Sequence, residues 1–286
     1  MKRRIAAQVH GWLLLLPAAV LLAAFTHYPA GATLWNSFFS TAKPHRPAAF
    51  AGLENYREMA NDPVFWQSLV NNAWFALGTI PVSIALALLM AVWVNGKLRG
   101  QAFLRLAYFT PTVLPMIAVA NIWLFFYTPQ YGLLEQLTGL FGLPNHSWLG
   151  SRSTALACLI VVTIWKEAGF FMIFYLAALQ SVSPALYEAA ALEGASRWTV
   201  FRRITFPLSL PGVVAGAQIC FTLALGAFVT PAMLGGGRVL VLPLQVYNAT
   251  SEINWPVAAV GGMTLLIVSM IAVAGFNRLL KYSEVR

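Results

Sequence analysis

Ser68–Val94, SLVNNAWFALGTIPVSIALALLMAVWV, runs for 27 residues without an Asp, Glu, Lys or Arg. A hydrocarbon core about 30 Å thick is crossed by roughly 20 helical residues rising ~1.5 Å each, so this stretch is long enough to span a bilayer. The rest of the chain is biased the same way. Of its 286 residues 59% are hydrophobic and 9% charged, where a soluble domain carries about 25% charge.

Five further apolar windows lie on either side, at Gly11–Leu34, Leu106–Tyr127, Thr154–Leu179, Pro211–Met233 and Pro256–Phe276. The pattern predicts an all-α membrane protein with six transmembrane helices. Only Thr154–Leu179 contains formal charge, at Lys166 and Glu167. An alternative reading of the first window is a cleaved secretion signal, since basic residues precede it and Ala30-Gly31-Ala32 has the small-x-small form of a cleavage site. Cleavage there would leave an odd number of spans.

Charge tests the topology. With the N-terminus inside, the inner segments carry Lys2, Arg3, Arg4, Lys97, Arg99, Arg105, Arg197, Arg202, Arg203, Arg278, Lys281 and Arg286, against three acids. The outer segments carry Lys43, Arg46, Arg57, Arg152 and Arg238, against five acids. The whole formal charge of +9 thus falls on one side, as the positive-inside rule requires, and both termini are expected in the cytoplasm. The basic balance therefore calls for membrane lipid as the surroundings and for no nucleic acid.

Enzyme chemistry has little to stand on. Glu167 is the one acid inside a span, so no carboxylate pair is available for proton relay or hydrolysis, and no Ser/His/Asp or Cys/His set is apparent. The four histidines, His10, His27, His45 and His146, are dispersed, and no metal site is expected. Cys158 and Cys220 read as small packing residues within spans. Gly96-Lys97 is followed by Leu98 and lacks the earlier glycine of a phosphate loop, so uphill transport would need ATP hydrolysed by another chain.

Polar residues at membrane depth mark a pathway or a partner. Lys166 and Glu167 cost several kcal/mol there unless paired or solvated, so they are expected to face the bundle interior or a wet cavity. A structural ion pair with another helix or subunit is the alternative. Asn121 and Gln218 are weaker candidates for the same lining, since lone amides in membrane helices often only bridge helices. Helix breakers at Pro81, Pro111, Pro115 and Pro231 suggest kinks, tolerated where protein or a water-lined cavity satisfies the freed carbonyls. The outer loops are Trp35–Gln67 and the Gly/Pro-rich stretch from Thr128 to Ser153, with room for one short helix.

One inner connection stands apart. In Ser181–Gly212, SVSPALYEAAALEGASRWTVFRRITFPLSLPG, five charges gather around Gly194. Ser183 before Pro184 reads as a helix start, Gly194 as the left-handed turn that ends the helix, and Ser196 as the cap of a second. Pro207 and Pro211 mark the approach to the fifth span. Ala189, Ala190 and Ala191 offer a surface that another protein can approach closely, and Glu188 offers a carboxylate. An interfacial membrane anchor is the competing reading.

These residues resemble the permease subunits of binding-protein-dependent ABC importers. That family's signature is Glu-Ala-Ala, three residues, Gly, nine residues and Ile-x-Leu-Pro. Here it reads Glu188-Ala189-Ala190, Gly194 and Ile204-Thr205-Phe206-Pro207, with Phe206 in place of leucine. FAGLENY at Phe50–Tyr56, DPVFWQSLVNNAWF from Asp62, Ile164-Trp165-Lys166 and LAALQSVSPALYEAA resemble the sugar and glycerol-phosphate branch, whereas FVTPAMLGGGR from Phe228 is closer to polyamine-type permeases. The resemblance implies a cytoplasmic N-terminus and first helix over 1–34, a periplasmic loop over 35–67 and a permease core over 68–286. Within that core a cytoplasmic ATPase-coupling loop occupies 180–210, using Glu188, Ala189, Ala190, Gly194, Ile204 and Pro207. It further implies a second permease subunit, two ABC ATPase subunits holding ATP and magnesium, a periplasmic or lipid-anchored solute-binding protein, and location in a bacterial inner membrane. A membrane enzyme and a passive channel are the competing classes.

Overall fold

The computed structural model describes residues 2–42, 47–96, 100–142, 144 and 146–284. Lys43, His45, Arg46, Lys97, Leu98, Arg99 and Arg286, which entered the charge and motif arguments, lie outside them. Among the described residues five helices are long and apolar enough to cross a bilayer: His10–Asn36, Pro63–Asn95, Arg152–Gln180, Arg197–Leu225 and Trp255–Arg278. The helices Gln101–Val113 and Met116–Tyr127 meet the same criterion as a pair bent at its middle, which makes six spans when the pair is counted as one. The chain divides into two units, Met1–Pro63 with Gln245–Thr264, and Val64–Leu244 with Leu265–Arg286.

In the first unit α1 (Lys2–Leu22) passes through a π-helical turn, Ala23–His27, into α2 (Tyr28–Asn36). Ala30-Gly31-Ala32, the cleavage-like triplet, lies inside α2. Beyond it Phe39 and Phe50 pair in antiparallel fashion, and α3 (Glu54–Asn61) follows. Asn55, buried on α3, holds this connection by donating its amide to the carbonyls of Ser37 (2.7 Å) and Phe39 (3.0 Å). The FAGLENY stretch thus has a physical task, since two carbonyls leaving α2 would otherwise lack partners.

The second unit begins with α4 (Pro63–Asn95), then α5 (Gln101–Val113) and α6 (Met116–Tyr127). The window Leu106–Tyr127, where prolines suggested a kink, is two limbs bent by 96°. Pro115 supplies the reason: it has no N–H to continue the ladder and drives Leu114 into an extended conformation (φ −68°, ψ 135°). After α7 (Leu133–Leu140), the short helix expected in the outer loop, come α8 (Arg152–Gln180) and the pair of short helices α9 (Pro184–Leu192) and α10 (Arg197–Val200).

The fifth span also departs from its expected bounds. A second π-helical turn, Phe201–Thr205, joins α10 to α11 (Phe206–Leu225) as one continuous helix, so Pro207 lies inside a helix rather than before one. Each π turn ends two residues before a proline, Pro29 or Pro207, and the widened turn absorbs the backbone that a proline would break. The helix stops at Leu225, and Thr230 to Leu234 belong to a separate short helix, α12 (Val229–Leu234). Next come α13 (Leu242–Ser251) and α14 (Trp255–Glu284).

Helix α8 is the axis of the second unit. Its upper half packs in a cluster with Phe75, Val119, Leu159, Val162 and Val241, and its lower half in another with Ala87, Ala91, Phe171, Tyr175 and Val213. Cys158 and Cys220 sit as free thiols, one in each cluster. Small residues set the spacing. A Cβ on Gly169 would collide with the Tyr108 carbonyl of α5, so only glycine lets α5 and α8 approach this closely.

Candidate functional site

The 96° break leaves carbonyls at the end of α5 without helical partners, and α8 answers with Lys166. The residue is 8% exposed; its ammonium donates to the Thr112 carbonyl at 3.1 Å, while the Thr112 hydroxyl donates back to the Lys166 carbonyl at 3.0 Å. A cation at a helix C-terminus is favoured by the helix dipole as well as by the hydrogen bond. Glu167 completes the charge balance at 3.5 Å from the Lys166 Nζ.

Lys166 and Glu167 line a cavity of about 240 Å³ with Thr79 of α4, Met116 of α6, Thr163 of α8, Cys220 of α11 and Thr230 of α12. Thr163 donates to the Leu159 carbonyl four residues back, the usual fate of a membrane threonine. Thr79 and Thr230 do not. Both are 1% exposed, and neither hydroxyl has a hydrogen-bond partner. Buried hydroxyls are rarely left so, and these two give the cavity polar capacity that the protein itself does not use.

Asn121 and Gln218 do not join them. Asn121 is exposed and donates to the Ile117 carbonyl of its own helix at 2.9 Å, while Gln218 is half-buried and outside the cavity lining. Sequence reading missed Thr79 and Thr230, because a hydroxyl in an apolar window looks the same whether or not it bonds backward.

At the other end of α8 the α9–α10 segment takes the expected shape. Gly194 has φ +69°, its N–H donates to Ala191 O (3.1 Å), and the Ala195 N–H donates to Ala190 O (3.0 Å), a complete Schellman ending for α9. Ser196 Oγ accepts from the Thr199 N–H at 3.2 Å and caps α10. Ser183 holds the N-cap position of α9 without a side-chain bond. The Thr205 hydroxyl donates to the Tyr187 oxygen at 3.3 Å and fastens the π turn to α9.

The alanine surface is narrower than expected. Ala190 turns inward and is buried, leaving Ala189 and Ala191 exposed beside Glu188. Ile204 is half-buried and Pro207 exposed. The outward apolar groups that the sequence reading passed over are Leu192, 92% exposed, and Trp198, 68% exposed.

Spanning helices around a cavity that holds an ion pair, with an exposed helix pair at one face, define a membrane transport subunit. The chain belongs to the binding-protein-dependent transport system inner membrane component family, whose model matches residues 63–281. It is a permease subunit of an ATP-driven importer, not an enzyme, and such a subunit works with a binding protein and further subunits. The chain is 30% identical over 278 residues to the sulfoquinovosyl glycerol transport system permease protein SmoG of Agrobacterium fabrum, covering 95% of this chain and 90% of that one. It is 31% identical over 277 residues to the lactose transport system permease protein LacF of Rhizobium radiobacter, covering 94% and 92%. Its fold matches a chain of a bacterial alginate ABC transporter, crystallised with an alginate pentasaccharide-bound periplasmic protein, with a TM-score of 0.83 at 21% identity, covering 98% and 96%.

Proposed function

We propose that this permease moves a sugar or glycoside through the Lys166–Glu167 cavity. The observation that carries the reading is the pair of buried, unpartnered hydroxyls of Thr79 and Thr230 in the cavity wall. Once a side-chain rotation turns them from the wall into the cavity, a polyhydroxylated solute offers both donors and acceptors to them. The one ammonium in the lining is balanced by the one carboxylate, so the cavity suits a neutral polyol better than a polycation or a free phosphate. Support also comes from the relatives SmoG and LacF, and the polyamine alternative is set aside on both grounds. Asn121 and Gln218 are assigned to a further part of the pathway, completed by a second permease subunit.

The cytoplasmic helix pair is the ATPase-coupling element in this reading. Glu188 and Ala189 with Leu192 form its outward face, Ala190 anchors it, Gly194 sets the turn, and Ile204 and Pro207 lead motion into α11. Two ATPase subunits, with ATP and magnesium, would act on this permease and its partner, and both termini would be cytoplasmic. The test is uptake by the reconstituted complex. Thr79→Val and Thr230→Val are expected to raise KM for the sugar several-fold with assembly unchanged, and an unaltered KM in both overturns the assignment.

A further inference from the structure

A groove on the outer surface of the second unit has no role in the transport reading. It lies between α4 and α8 and has a volume of about 710 Å³, within the size range of ligand sites. Its floor is apolar: Trp74, Leu77 and Gly78 on one side, Leu156, Ala157 and Ile160 on the other. Its rim, one to two helical turns away at the start of α8, carries Arg152 and Ser153, with Asn71 opposite. No acid is in the lining.

Arg152 is exposed, and its Nε and Nη2 donate to Asn71 Oδ1 at 3.1 and 2.6 Å. Asn71 in turn donates to the Leu240 carbonyl at 2.6 Å, so the guanidinium is held in place by the fold. A guanidinium has five N–H donors, and these bonds use two of them. Among the described residues no carboxylate pairs with it. A fixed cation with free donors, above an apolar trough at the end of a spanning helix, matches an anionic headgroup above its acyl chain.

We propose that this groove is a binding site for one anionic phospholipid, its phosphate on Arg152 and Ser153 and an acyl chain along Trp74, Leu77 and Ile160. Charge complementarity favours a lipid over a neighbouring apolar helix, because a lipid phosphate supplies the anion that the lining lacks. A cation near an anionic surface is worth about fivefold in affinity, which sets the expected preference.

Native mass spectrometry of the purified transporter complex, titrated with phosphatidylglycerol or phosphatidylcholine, tests this. The expected result is one tightly held lipid with an approximately fivefold preference for phosphatidylglycerol. Arg152→Gln should abolish the preference and Arg152→Lys should keep most of it. Ala157→Phe, which fills the trough at an exposed position without touching the arginine, should lower retention of both lipids. Retention and preference unchanged in Arg152→Gln and Ala157→Phe overturn the proposal. So does displacement of the lipid by millimolar glycerol 3-phosphate, which would mean a phosphate site, or a cross-link from Leu77→Cys to the other permease subunit, which would mean a protein occupant.

Discussion

Lys166 and Thr112 are joined twice, by the ammonium on the Thr112 carbonyl at 3.1 Å and by the Thr112 hydroxyl on the Lys166 carbonyl at 3.0 Å. One side chain therefore stabilises the broken end of α5, balances Glu167 and forms part of the cavity wall. Any movement of α8 at this level must carry the α5–α6 corner with it or break the pair.

Lys166→Met removes the cap and leaves Glu167 without its partner. Breaking a fully buried pair costs about 3–5 kcal/mol and this one, with Glu167 half-buried, costs less, so the variant should assemble at reduced thermal stability and lose most uptake. Thr112→Val deletes only the hydroxyl bond, costs about 1 kcal/mol, and should transport nearly normally. Melting and uptake measured on the same preparations check both, and equal uptake in Lys166→Met and parent contradicts the expectation.

Gly169→Leu places a side chain where the Tyr108 carbonyl lies. Overpacking of this kind costs about 1–3 kcal/mol or more, because backbone must move. The expected outcome is a lowered melting temperature of the purified complex. Gly139→Leu, at a glycine whose Cβ position is open, should leave it unchanged.

The six spans and the turn at Gly194 could be read in the sequence because apolar length and a left-handed glycine are local properties. A kink at Pro115 was legible from the proline, but its 96° sweep was not, since Leu114-Pro115 lies in one unbroken apolar window and hydropathy carries no direction. Lys166 and Glu167 were legible because charge at depth needs an explanation. Thr79 and Thr230 were not, as their unused hydroxyls depend on neighbours from α8, α11 and the chain between α11 and α12. Leu192 and Trp198 were hidden for the opposite reason, being apolar residues that the fold leaves outside.

Orientation is open to labelling. Tyr131→Cys and Leu192→Cys place thiols at exposed positions on opposite sides of the expected topology, while Cys158 and Cys220 are buried and contribute little background. An impermeant maleimide should label position 131 in intact cells and position 192 only after lysis. The reverse pattern contradicts cytoplasmic termini.

Gly194→Val puts a β-branched residue at φ +69°, where an added Cβ meets nothing within 4 Å, so the cost of about 1–3 kcal/mol is conformational. The variant should insert normally and bind the ATPase weakly. Gly194→Asn, which tolerates this conformation, should retain most binding. Equal ATPase affinity in the Val variant and the parent contradicts a shaped docking turn.

The most direct test of the account is sugar uptake and ATP hydrolysis measured together in vesicles holding the reconstituted complex and its binding protein. The account predicts uptake that requires ATP and binding protein, and that is lost in Leu192→Asp although the complex still inserts. Sugar entry that persists without ATP, or an undiminished ratio of uptake to hydrolysis in Leu192→Asp, would contradict it.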